Sequence, residues 1–151
     1  MTEPDNQVRL KVMSAEEVAD VIELTNKCFG EETPVAFATQ VFENTKDDPN
    51  QIYLNAYLDN RLVGHLKITI IPTIYEKMNT YAILNHVCVD PEVRRRHIAT
   101  RLLDEAFRIC KERNVKTVEL WSNNIRQAAH ACYKKYGFEV ADAKFFACDV
   151  E

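Results

Sequence analysis

No apolar run in this 151-residue chain approaches the ~20 residues of a membrane span, so a helical membrane protein is not expected. The first residues, Met1 to Asn6, lack the basic-then-apolar order of a secretory signal, and a cytoplasmic location is expected. Cys28, Cys88, Cys110, Cys132 and Cys148 are odd in number and contain no C-x-x-C pair. Neither a zinc site nor a disulfide framework is signalled; no metal is expected, and the cysteines read as reduced, buried packing residues. A net charge of −4 argues against nucleic acid as a partner, and repeats, low-complexity tracts and linkers are missing. What is present is ordinary for a globular protein: 46% hydrophobic and 28% charged residues, in a length that fits one domain over 1–151. A domain of this size buries about two-thirds of its unfolded surface, enough for a real core.

Gln7 to Met13 reads as a short strand, and Ser14-Ala15-Glu16-Glu17 is a capping box that opens a helix ending near Gly30. A shorter helix follows from Pro34 to Glu43. Gln51 to Leu58 alternates apolar and polar residues, Asp59-Asn60 tolerates positive φ, and Arg61 to Ile71 returns as the second arm of a hairpin closed by Pro72. A third strand spans Tyr81 to Val89. The next helix starts near Arg96 and buries Ile98, Leu102, Leu103, Ala106, Phe107 and Cys110 as one stripe. Val115 to Ser122 reads as a strand, Ile125 to Tyr136 as a helix stopped by Gly137, and Phe138 to Val150 as a pair of short closing strands. The order predicts an α/β fold whose unit from Tyr81 to Ser122 is parallel and right-handed, with a ligand cleft at the carboxyl ends of its strands.

One segment carries chemistry. After Val87-Cys88-Val89 the strand stops at Asp90-Pro91, and Arg94, Arg95 and Arg96 stand at the helix start. Helix starts leave backbone N–H groups without intrahelical acceptors and carry about half a positive charge, so a diphosphate finds donors and field together. The guanidinium forks suit phosphate oxygens. An arginine run can equally be plain solvated surface.

The strand ending Val87-Cys88-Val89, the turn Arg94-Arg95-Arg96-His97-Ile98-Ala99, and the later Ala129-His130-Ala131-Cys132-Tyr133-Lys134-Lys135-Tyr136-Gly137-Phe138 together resemble the GNAT superfamily of acetyl-CoA-dependent N-acetyltransferases. The resemblance implies a single-domain GNAT-like fold: a mixed, mostly antiparallel sheet with a parallel central strand pair and flanking helices. It implies that backbone amides from Arg94 to Thr100, including those of His97, Ile98 and Ala99, wrap the pyrophosphate of acetyl-CoA, the co-substrate. His97 stands where the family usually has glycine, so it must find an allowed φ/ψ with its ring turned outward, as a solvent-facing side chain or a phosphate donor. Val87, Cys88 and Val89 become the edge along which the pantetheine arm lies, and one amide near Val87 or Cys88 would polarise the acetyl carbonyl.

The same resemblance implies direct attack of an amine on the thioester in a ternary complex, without a protein nucleophile. Tyr133 matches the general acid that protonates the leaving thiolate. The family's glutamate base falls at Asn85, which cannot take a proton. His86 is the neighbouring candidate, with a water relay as the alternative, and strand alternation lets only one of the two face the cleft unless the strand bulges. Arg126 would touch the pantetheine or phosphate end, or form a surface ion pair; His130 reads as a packing residue, and Trp121 as packed on the sheet or lining the pocket mouth. Asp20, Glu23, Glu31, Glu32, Glu43, Asp47 and Asp48 make the first helices acidic, either to attract a cationic amine or simply as a solvated surface.

The expected function is acetyl transfer to a primary amine of a small molecule or peptide. The alternative is a catalytically inactive CoA-binding regulatory module, which Asn85 and His97 keep in view. A homodimer is expected by analogy with the family alone.

Overall fold

The computed structural model describes residues 8–93 and 97–150. They fall into two compact units, Met1–Trp121 and Ser122–Glu151. The first unit holds, in order, β1 (Val8–Val12), a 3₁₀ turn (Ala15–Glu17), α1 (Val18–Phe29), α2 (Val35–Thr45), β2 (Gln51–Leu58), β3 (Arg61–Ile71), β4 (Tyr81–Val89), a second 3₁₀ turn (Pro91–Val93), α3 (Ile98–Glu112) and β5 (Thr117–Leu120). The second holds α4 (Gln127–Tyr136).

The strands form one sheet in the order β1-β2-β3-β4-β5, antiparallel except for the β4–β5 pair, which is parallel. This is the mixed α/β architecture expected from the sequence. The hairpin between β2 and β3 turns on Asp59 (φ 51°) and Asn60 (φ 66°), both in the left-handed region that suits the twist of tight hairpins. At the end of α1, Gly30 (φ 65°) takes the same conformation, and its amide reaches the Asn26 carbonyl to stop the helix.

Alternation along β3 separates two packing layers. Leu66 and Ile68, both fully buried, share a face with Gly64, over which α3 lies. A Cβ built on Gly64 would stand 3.0 Å from Leu102 Cδ1 and 3.1 Å from Ile98 Cγ2, so the absence of a side chain lets α3 approach the strand. Within α3, Ile98, Leu102, Leu103, Ala106 and Cys110 are buried as the periodicity predicts, and Phe107 is left at the surface. On the opposite face Met13, Val18, Val21 and Phe42 form a cluster with Tyr53 and Leu62, which seats α1 and α2.

Several expectations need correction. The capping box opens a 3₁₀ turn, with Ser14 N donating to Glu17 Oε1 at 2.8 Å, before the α-helix begins at Val18. The helix expected near Arg96 starts at Ile98, because a separate turn closed by Val93 N to Asp90 O (3.0 Å) comes first. β5 is confined to Thr117–Leu120 and α4 to Gln127–Tyr136. Phe138 to Val150 forms no strand: residues 139–150 are all exposed, so their apolar side chains gain nothing from pairing. Trp121 is 63% exposed rather than packed on the sheet. Only Cys88 and Cys110 are buried; Cys28 and Cys132 are half-buried and Cys148 is exposed. Among the described residues no helix is long and apolar enough to cross a membrane.

Candidate active site

The β4–β5 ladder runs only from Tyr81↔Thr117 to Leu84↔Leu120, while β4 continues to Val89 laddered to β3 alone. The stretch from Asn85 to Val89 therefore presents an edge on its β5 side, and a strand edge is a template for an extended, amide-bearing ligand. The same stretch bulges. Register jumps from Lys67↔Asn85 to His65↔Cys88, and His86 adopts φ 50°, a conformation non-glycine residues take up sparingly. Both Asn85 and His86 are consequently exposed, which an unbroken strand would not permit. His86 Nε2 lies 3.2 Å from Glu31 Oε1, beyond the end of α1, and the ring stands edge-on to Phe29 with centroids 4.9 Å apart. The bulge thus turns the imidazole toward α1, where a carboxylate binds one of its nitrogens.

Past β4 the chain is held by a carboxylate whose part the sequence reading missed. Asp90 is 6% exposed, and its Oδ1 accepts from the Glu92 amide (3.0 Å) and from Lys27 Nζ (3.1 Å) on α1. Its Oδ2 accepts from Arg61 Nη2 (2.8 Å) on β3. Burial opposes its charge, but the Glu92 amide, Arg61 and Lys27 outweigh that and hold the carboxyl below its usual range. Asp90 therefore ties α1, β3 and the end of β4 together where the chain turns toward α3.

Helix α3 begins after His97, whose backbone is left-handed (φ 60°, ψ 23°) and whose side chain is exposed. Histidine has here adopted the conformation that glycine would take without steric cost. The ring faces outward, and the amides of Ile98, Ala99 and Thr100 begin a 15-residue helix as donors without intrahelical acceptors. Arg94, Arg95 and Arg96 lie outside the described residues.

His65 was also missed, for its signal lies in the pairing register rather than in any motif. It stands opposite Asn55 on β2 and Cys88 on β4, and is 4% exposed. Its Nδ1 is 2.8 Å from Asn55 Oδ1; Asn55 Nδ2 donates to the Tyr57 hydroxyl at 3.3 Å, and Tyr57 donates in turn to Glu17 Oε2. Lys11 Nζ closes the chain on Glu17 at 2.6 Å. Burial works against the Glu17 charge, yet the bonds from Lys11, Tyr57 and Ser14 bring its pKa down to about 2. Burial and the bond to Glu17 push Tyr57 up to about 12. Burial, with a smaller contribution from the nearby His86, lowers His65 to about 3. His65 is thus neutral in the physiological range.

In the second unit, Tyr133 sits half-buried on α4 with its ring 6.0 Å from that of Phe138. The amides of Gly137 and Phe138 both return to the Tyr133 carbonyl, at 3.1 and 2.9 Å, so Gly137 (φ 130°) ends the helix as expected. Arg126 occupies the N-cap position of α4 and His130 is half-buried one turn on. Among the described residues no group of three or more His, Cys, Asp or Glu could hold a metal ion. The seven acidic residues of the first helices are all exposed; Glu43 pairs with Lys46 at 2.7 Å, and Asp48 accepts from the Asn50 amide at 2.9 Å.

The chain is similar to several known proteins. A spermidine N(1)-acetyltransferase of Thermoplasma acidophilum is 28% identical over 91 residues, which cover 60% of this chain and 52% of the relative. An uncharacterized N-acetyltransferase of Methanocaldococcus jannaschii is 38% identical over 56 residues, 37% of this chain and 25% of the relative. The matches thus span about half and about a quarter of those relatives' lengths. Among solved structures, a transcriptional regulator from Bacillus halodurans superposes with a TM-score of 0.85 at 20% identity, covering 95% of this chain and 99% of the other. A predicted acetyltransferase from Clostridium acetobutylicum, solved with acetyl-CoA, gives 0.75 at 21% identity, covering 93% and 96%. At these identities the structures speak for the fold. The model of the acetyltransferase (GNAT) family matches residues 18–138, from the start of α1 to the residue after Gly137, and the chain belongs to that family.

Proposed function

We propose that this chain is an N-acetyltransferase, a single catalytic domain over 1–151, that moves the acetyl group of acetyl-CoA to a primary amine of a small molecule or peptide by direct attack in a ternary complex. The observation that carries this reading is the parting of β4 from β5 after Leu84, on the strand that leads into the start of α3. An extended pantetheine arm suits the edge at Val87, Cys88 and Val89. The amides of His97, Ile98, Ala99 and Thr100, with Arg94, Arg95 and Arg96, suit its pyrophosphate. Arg126 is proposed to contact the same co-substrate.

His86 takes the proton that an ammonium must lose before it can attack. With Glu31 accepting from Nε2–H, the lone pair of Nδ1 is left for that task. As the new C–N bond forms, the C–S bond breaks, and an amide near Val87 or Cys88 stabilises the oxyanion, a role worth ~3 kcal/mol for a single donor. Tyr133 gives its proton to the departing thiolate, a role proposed on the family resemblance. A cytoplasmic location is part of the proposal, and by the same family analogy the protein works as a homodimer, which sedimentation analysis tests.

Thermal unfolding with and without acetyl-CoA tests the reading first. Saturation at ~100 times Kd adds ~2.7 kcal/mol, which at ~2–4 °C per kcal/mol raises Tm by about 5–10 °C. Release of CoA on adding spermidine, chosen for the Thermoplasma relative's name, and then a panel of primary amines tests turnover. No shift with acetyl-CoA refutes the whole reading. A shift without release on any amine leaves the regulatory module instead.

A further inference from the structure

The chain of bonds from Glu17 through Tyr57 and Asn55 to His65 has a direction. Glu17 can only accept from Tyr57, which leaves the Tyr57 oxygen to accept from Asn55 Nδ2, and the Asn55 amide oxygen to accept from His65 Nδ1. The proton of the neutral imidazole is thereby assigned to Nδ1, and Nε2 keeps a bare lone pair. No described protein group hydrogen-bonds that nitrogen. A buried acceptor without a partner is costly, and polar networks in protein interiors are normally completed.

The location of this unmet acceptor matters. His65 stands directly opposite Cys88, beside the register jump that turns out His86. We propose that His65 Nε2 accepts a hydrogen bond from the attacking nitrogen of the acceptor amine, and that Asn55, Tyr57 and Glu17 hold the ring in the tautomer that can do so. No proton is transferred to His65, whose burial keeps it a pure acceptor at neutral pH. The residue selects and orients the nucleophile while His86 deals with its charge. This inference rests on the acetyltransferase reading and adds to it the group that holds the amine.

Two measurements test it. In wild-type protein saturated with CoA, ¹⁵N-detected histidine spectra will show His65 protonated at Nδ1 and unprotonated at Nε2, and the Nε2 resonance will move toward the hydrogen-bonded range as spermidine is added. His65→Asn keeps a donor for Asn55 and removes Nε2. It will lower kcat/KM for spermidine about tenfold or more while acetyl-CoA affinity stays within twofold. Tyr57→Phe, which cuts the relay without touching the ring, will let the tautomers mix and lower the same ratio to a smaller extent. An Nε2–H tautomer in the wild type, an Nε2 resonance indifferent to spermidine, or a His65→Asn enzyme as efficient as its parent overturns this inference and leaves the acetyltransferase reading intact. A wild-type protein that binds acetyl-CoA but acetylates no amine overturns both.

Discussion

His65 makes the stability of this protein depend on pH in a window where carboxylates contribute little. In the unfolded chain a histidine titrates near ~6.5, whereas burial in the native state brings His65 to about 3. Between those values the unfolded state holds one more proton than the native state, so stability rises with pH there and is lost as pH falls through ~6.5. The full slope is ~1.4 kcal/mol per pH unit, and from pH 7 to pH 5 the loss from this one ring comes to about 2 kcal/mol. Against a typical 5–15 kcal/mol this is a large fraction. Glu17 and Asp90, whose pKa values are also depressed, lose their contributions only below about pH 4.5. Urea unfolding of the wild type and of His65→Asn at pH 7 and pH 5 isolates the effect, since the variant keeps a donor to Asn55 and has no ring to protonate. The wild type will lose about 2 kcal/mol more than the variant over this interval. Equal losses would show that the native protein protonates or exposes this ring, and the relay argument would fall with it.

Four further outcomes are expected. His97→Gly removes a left-handed cost of about 1–2 kcal/mol and adds about 0.5–1 kcal/mol of unfolded-state entropy, so stability will rise by up to ~1.5 kcal/mol and acetyl-CoA will bind at least as tightly; a shift of the urea midpoint in the other direction refutes the strain. Gly64→Ala pushes a methyl against Leu102 and Ile98 and will cost about 1–3 kcal/mol, with weakened acetyl-CoA binding because Ile98 opens α3; calorimetry of both properties checks it. Both Asp90→Asn and Asp90→Ala lose the ion pairs with Lys27 and Arg61, but Asp90→Asn keeps an acceptor for the Glu92 amide and will be milder by the ~1 kcal/mol of that cap; equal denaturation midpoints for the two would dismiss the cap. Tyr133→Phe will leave acetyl-CoA affinity unchanged and slow acetyl transfer by roughly tenfold or more, the scale of a lost general acid; undiminished kcat would remove Tyr133 from the chemistry.

Much of the fold could be read from local pattern. The β2–β3 hairpin, with Asp59-Asn60 at its turn, occupies the predicted residues because alternation and turn chemistry are both short-range. The end of α1 at Gly30 and of α4 at Gly137 follow from the same kind of local signal. The closing strands expected over Phe138 to Val150 failed because a strand pattern predicts nothing without a partner edge. Trp121 misled for a related reason: a lone aromatic beside a strand carries no information about what lies over it.

The sequence by itself determined the element order, the buried stripe of α3 and the resemblance around Arg94 to Thr100, since each is encoded in the spacing of neighbouring residues. It could state the dilemma of Asn85 and His86 but not resolve it. Only the tertiary structure decided that β4 bulges at His86, that Asp90 gathers Lys27 and Arg61, and that His65 ends a buried relay begun at Glu17. Arg61 and Lys27 lie 29 and 63 positions from Asp90, Tyr57 lies 40 from Glu17, and His86 sits at a register that shifts by one residue, so the spacing of neighbouring residues carries no trace of these contacts. Burial keeps the His65 imidazole neutral inside the sheet, while that of His86 is turned out to a carboxylate beyond the end of α1.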